Sequence, residues 1–185
     1  MAKQYSNKNE RYYKAYLSHN TISRRGLFLS LFRSVKPETL VHRCEARPPF
    51  SVKESLFLDI CNGCGACVAI CPYGLIQLKE NKPVLDIDFS SCDFCGKCAE
   101  NCPTHALHKA FSADTELRPS FNQQCVMRKG QHCSVCQDKC PQNAISFEYY
   151  SPIILDTCNG CGECKVSCFI GAINLYIKRV TSRNT

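Results

Sequence analysis

The sequence contains no tryptophan, and no apolar run in it approaches the roughly 20 residues that a transmembrane helix requires. A membrane-spanning segment is therefore not expected, and neither is a core assembled from long apolar helices. No Ser/His/Asp or Cys/His constellation suggests hydrolysis, and no nucleic-acid-binding motif accompanies the formal net charge of +7. The chain is thus expected neither to be an enzyme nor to bind nucleic acid. What it holds in excess is cysteine, seventeen in 185 residues. That is far above ordinary usage, so the cysteines must replace part of a conventional core.

The cysteines form an internal repeat. Cys61, Cys64, Cys67 and Cys71 make C-x2-C-x2-C-x3-C followed by Pro72. Cys92, Cys95, Cys98 and Cys102 repeat it before Pro103, and Cys158, Cys161, Cys164 and Cys168 before Phe169. A variant lies between them: Cys125, Cys133, Cys136 and Cys140 before Pro141, with a first gap of seven residues. The fourth cysteines are spaced by 31, 38 and 28 residues. Short apolar runs precede the motifs at 56–58, 84–87 and 153–155, and follow them at 75–78, 106–107, 144–147 and 172–175. Their length predicts strands of small hairpins rather than stable helices. A short helix is expected to start near each fourth cysteine, with Pro72, Pro103 and Pro141 in its first turn, where a missing N–H is harmless.

Cysteines three apart, in a loop whose N–H groups point inward, can wrap one face of a cuboidal cluster. Gly63, Gly65, Gly96, Gly160 and Gly162 permit so tight a loop. Three thiolates of one loop occupy three corners, while the fourth cysteine has moved on and points away. Disulfides would need an oxidising compartment and would leave one of the seventeen cysteines over. Zinc usually draws two C-x2-C pairs from separated segments, not four cysteines within eleven residues. The spacing therefore points to about four [4Fe–4S] clusters, their iron held by sixteen cysteines.

Residues 61–71 and 92–102 resemble the bacterial two-cluster ferredoxins, and the resemblance recurs over 125–168. It implies an α+β fold of two tandem ferredoxin-like 2[4Fe–4S] units with short strands and helices, one-electron transfer, and no substrate pocket. In that pattern the fourth cysteine ligates the neighbouring cluster, so the motifs work in pairs. Adjacent pairing joins Cys102 to Cys61, Cys64 and Cys67, and Cys71 to Cys92, Cys95 and Cys98. It likewise joins Cys168 to Cys125, Cys133 and Cys136, and Cys140 to Cys158, Cys161 and Cys164. Nested pairing would join the first motif to the fourth and the second to the third; shorter loop closures favour adjacency. The expected units are 51–111 and 125–178, with 112–124 as a polar linker and 179–185 as a tail. The loop 126–132 must bulge for Cys125 to reach its corner; otherwise Cys125 is a free thiol beside a three-iron cluster. His132, next to Cys133, reads as a surface histidine rather than a group that tunes a cluster.

Residues 1–50 carry ten Lys/Arg against three Asp/Glu, which is the entire +7, while the remainder balances at thirteen of each. At about −2 per oxidised cluster, a basic arm would precede an acidic body. Phe28, Leu31, Phe32 and Val35 fall on one face of a helix expected near 22–35. That face either packs on the body or docks on a partner, with Arg24 and Arg25 supplying charge. The twin arginine could also mark export, but the apolar run at 26–32 is only seven residues and is stopped by Arg33 and Lys36. Cys44 lies outside every motif and reads as an ordinary thiol.

Ser23-Arg24-Arg25-Gly26, Arg47-Pro48-Pro49-Phe50 and the C-x7-C-x2-C-x3-C of Cys125–Cys140 occur in an order that resembles the NapF family of ferredoxin-type proteins. The resemblance implies a cytoplasmic accessory protein of periplasmic nitrate reductase. Such a protein would contact the catalytic molybdoenzyme subunit before export and help its maturation by electron or Fe–S transfer. The alternative is a general electron carrier, or a cluster subunit of a larger oxidoreductase, serving a redox partner protein.

Overall fold

The computed structural model describes residues 43–178. The helix expected near 22–35, with Arg24, Arg25, Phe28 and Phe32, lies outside the described residues, as does the tail at 179–185.

The described residues form one compact unit, built from short helices and three two-stranded antiparallel sheets. Helix α1 (Glu54–Ile60) leads into α2 (Ala66–Ile70), strands β1 (Ile76–Lys79) and β2 (Lys82–Leu85), and α3 (Lys97–Glu100). Strand β3 (Leu117–Phe121), a 3-10 turn (Met127–Lys129), α4 (Val135–Asp138), β4 (Ile145–Glu148), β5 (Ser151–Ile154), α5 (Glu163–Val166) and β6 (Ile173–Ile177) follow.

The two halves repeat one plan. In each, a central hairpin joins two cysteine motifs: β1 pairs with β2, Ile76 opposite Leu85, and β4 with β5, Ile145 opposite Ile154. In each, the segment before the first motif pairs with the segment after the second. This is a single bridge, Ser51 to Leu107, in the first half. In the second it is a full ladder of β3 on β6, running from Leu117–Ile177 to Phe121–Ile173.

Three expectations are corrected here. Residues 112–124 are not a linker, because β3 lies within them and pairs with the last strand. The first boundary at 50/51 also moves, since Ala46, Arg47, Pro48 and Phe50 are buried in the body. Residues 56–58 are helical, within α1. Phe57 is fully buried and Leu58 is exposed, the one-sided burial of a short amphipathic turn.

Candidate iron–sulfur centres

Each motif loop is tied by its own side chains. Asn62 Oδ1 accepts from the Cys64 N–H (3.2 Å), Asp93 Oδ1 from Cys95 N–H (3.0 Å) and Asn159 Oδ1 from Cys161 N–H (3.3 Å). These Asx turns fix the residue after the first cysteine and aim the second inward. Gly65, Gly96 and Gly162 follow at φ 76°, 79° and 84°, each opening a short helix that carries the third cysteine. The helices thus start before the third cysteine and end by the fourth, not at the prolines as expected. The left-handed glycine sets the start, and each proline follows the end, where it cannot continue the ladder. The variant motif differs at this step, with Ser134 at φ −117° preceding α4.

The sixteen motif cysteines gather by adjacent motifs. Cys61, Cys64, Cys67 and Cys102 line one pocket, and Cys71, Cys92, Cys95 and Cys98 another. Cys125, Cys133, Cys136 and Cys168 line a third with an apolar wall. In the fourth set, burial lifts the thiol of Cys161, and the neighbouring Cys140 and Cys158 add to it. Burial likewise pushes Cys164 up to about 12, with Cys161 and Cys158 adding to the effect. Nested partners are not what the structure brings together.

The long loop does not remove Cys125 from its set. The 3-10 turn at Met127–Lys129 and Gly130 at φ 76° fold the extra residues outward, and Met127 Sδ accepts from the Cys133 N–H at 3.2 Å. His132 is exposed. Cys44 is exposed and belongs to none of the four sets.

The donor set fits iron–sulfur clusters. It is all sulfur, which suits soft or borderline metals. Among the described residues no three His, Cys, Asp or Glu side chains converge closely enough to hold a single ion. None of the seventeen cysteines is in a disulfide. Burial pushes Cys67, Cys92 and Cys136 up to about 11 and Cys98 up to about 12. These thiolates need a cation beside them to be stable in place. Backbone N–H groups already point at sulfur: Leu107 to Cys102 (3.5 Å), Ala144 to Cys140 (3.3 Å) and Ala172 to Cys168 (3.4 Å). Such bonds stabilise sulfur-borne charge and are one of the protein's controls on cluster potential.

Sequence reasoning missed Asn62, Asp93, Asn159 and Met127. The first three were detectable, because Asn or Asp follows the first cysteine in all three regular motifs. Nothing in the spacing marked Met127.

Four-thiol sets strung on short helices and hairpins define a ferredoxin-type [4Fe–4S] protein. The family model for a 4Fe-4S dicluster domain matches residues 60–106, and that for a 4Fe-4S binding domain matches residues 155–168. An uncharacterized protein of Haemophilus influenzae is 52% identical over 170 residues, 91% of this chain and 99% of the relative. The ferredoxin-type protein NapF of Escherichia coli K12 is 32% identical over 134 residues, 69% of this chain and 82% of NapF. NapF of H. influenzae is 32% identical over 136 residues, 70% of this chain and 77% of that protein. The chain belongs to the NapF family of ferredoxin-type proteins.

Proposed function

We propose that the sixteen motif cysteines hold four [4Fe–4S] clusters in two tandem ferredoxin-like units, and that the protein is a cytoplasmic accessory factor rather than an enzyme. The reading is carried by one observation: the first three cysteines of each motif gather with the fourth of its neighbour. A bound cluster supplies one-electron oxidation and reduction. The chain's own residues bind it through thiolates, orient it through the Asx turns, direct N–H groups at sulfur, and keep water off with walls such as Phe57, Leu107 and Phe147.

Family membership supports a role in maturing the catalytic molybdoenzyme subunit of periplasmic nitrate reductase before export, by contact and by electron or Fe–S transfer. Arg24, Arg25, Phe28 and Phe32 would supply the docking arm. The test is anaerobic co-purification of holoprotein with the precursor of that subunit. Binding is expected to be lost in Arg24→Glu/Arg25→Glu while the chromophore stays intact; equal binding by the variant removes the arm from the mechanism.

One finding favours a second reading, a carrier for another oxidoreductase. H. influenzae holds both a 52% identical relative covering nearly all of this chain and a NapF only 32% identical. The chain is therefore a sister of NapF, free to serve a different partner. Failure to bind the nitrate reductase subunit, with full iron loading, would favour that reading.

A further inference from the structure

Two ferredoxin-like units in one chain could work independently, each exchanging electrons with its own partner. The contact between the halves argues otherwise. Cys92 donates its N–H to the carbonyl of Cys161 at 2.9 Å, so residues of two different thiol sets are joined by one hydrogen bond. Around it, Ser91 Oγ donates to Glu163 at 2.6 Å and Lys165 pairs with Asp88 at 2.5 Å. On the second half's side of the seam, Thr115, which leads into β3, braces the Cys161 loop by giving its N–H to the Asn159 carbonyl (3.1 Å) and its hydroxyl to that of Gly160 (2.8 Å). The fit is close: a Cβ added at Gly162 would lie 2.3 Å from Ile87 Cγ2. The loops involved, 86–92 and 158–165, are those that carry the second and fourth cysteine sets. Within the halves the sets also adjoin, because a motif that gives its first three cysteines to one set gives its fourth to the neighbouring set.

We infer that the protein is one continuous redox array, in which the second and fourth sets meet at the centre and the first and third sets form its two ends. Sequence order and spatial order thus differ: the third motif in the chain is the last in the array. The array would accept an electron at one half and deliver it from the other. At the central junction, one cluster is oxidised by one electron and its neighbour reduced by one, with no proton moved and no bond made or broken. The Cys92–Cys161 hydrogen bond gives this step a short through-bond route.

This inference rests on the ligand sets proposed above, and the experiment separates the two. Alanine at Cys61, Cys64, Cys125 and Cys133 removes the end sets and leaves only the central pair. Alanine at Cys95, Cys98, Cys158 and Cys164 leaves only the ends. Each variant is reconstituted anaerobically, assayed for iron, reduced with dithionite and examined by electron paramagnetic resonance. Half of the parent's iron in both variants upholds the ligand sets; parental iron in either overturns them. Given half the iron, spin–spin splitting in the central-pair variant and none in the end-pair variant is expected. Equal splitting in the two, or none in the central pair, overturns the array. A loosened seam serves where a multiple variant does not fold. Ser91→Ala with Asp88→Ala in the four-cluster protein should reduce the inter-cluster broadening at unchanged iron content, and unaltered broadening would overturn the junction.

Discussion

The two halves present the same arrangement of thiols on unequal foundations. In the first, thirteen buried residues from Ala46 to Leu107 form one cluster with α1 packed into it, and Leu117 of β3 joins it from the second half. In the second, the corresponding cluster has four buried members, two of them Cys136 and Cys164. The first half also buries an ionic network: Glu54 accepts from Arg47 at 2.7 Å and from Arg43 at 3.2 Å. Arg47 reaches the Pro83 carbonyl at 3.1 Å and lies 5.0 Å above the ring of Phe57, which lines the first thiol cavity. The second half has a smaller counterpart, the buried Arg118 of β3 paired with Asp114 at 2.6 Å, and it lies outside the β4–β5 hairpin. Identical ligand geometry can thus be held by packing in one place and left to the metal in another.

The largest effect should come from removing iron. Stripped protein is expected to lose amide protection completely in β4–β5, while α1, β1–β2 and the part of β3–β6 that packs on the larger cluster through Leu117, Leu175 and Ile177 keep a residue of it. Segment-resolved hydrogen exchange measures this, and equal loss in both halves would erase the contrast. Next is Glu54→Ala, which leaves Arg47 buried without its carboxylate and Arg43 with Glu116 alone, and should cost about 3–5 kcal/mol in denaturant unfolding of the holoprotein. A cost below about 1 kcal/mol would show that the network is solvated and does not anchor the first half. Smaller again is Cys125→Ala. If Cys125 takes its corner, the third set should lose about one iron per chain and show a three-iron signal when oxidised. Unchanged iron would leave Cys125 a bystander of its set.

What the sequence revealed follows the same division. The spacing of the cysteines marked the sixteen candidate ligands, whereas the adjacent pairing followed from the resemblance to two-cluster ferredoxins and from shorter loop closures, with nested pairing left open. Elements held by packing were harder to read. Residues 56–58 are too few to separate strand from helix by period, and burial of Phe57 decided the matter. Strand β3 was obscured by the polarity of 112–124, which reads as a linker, and it contains Pro119, a residue unsuited to a central strand. In a two-stranded sheet both strands are edges, so Pro119 opposite Leu175 loses nothing, as with Pro83 in β2 and Pro152 in β5. The helix starts were misplaced because proline was weighed above the left-handed glycine that precedes each third cysteine.

The hairpin tips carry the comparison to its finest grain. Both central hairpins turn on two residues at positive φ: Glu80 and Asn81 at 50° and 59°, Tyr149 and Tyr150 at 45° and 64°. This turn fits the twist of the strands and favours Asn-Gly, because side chains with a Cβ resist the left-handed region. The resistance amounts to about 1–2 kcal/mol per residue, and it is felt most by bulky residues. The first tip meets this requirement with an asparagine; the second places two tyrosines there. Little packing offsets the strain, since Tyr149 is 98% exposed and Tyr150 61%. Tyr149→Asn with Tyr150→Gly should therefore stabilise β4–β5 by about 1 kcal/mol, after glycine's greater entropy loss on folding is set against the relief. Denaturant unfolding of the iron-loaded variant, with exchange rates along β4–β5, measures the gain. The matching change at the first tip, Glu80→Asn with Asn81→Gly, should yield less, because Asn81 already tolerates its conformation. A larger gain at the first tip than at the second would mean that the two rings make contacts that outweigh their backbone strain.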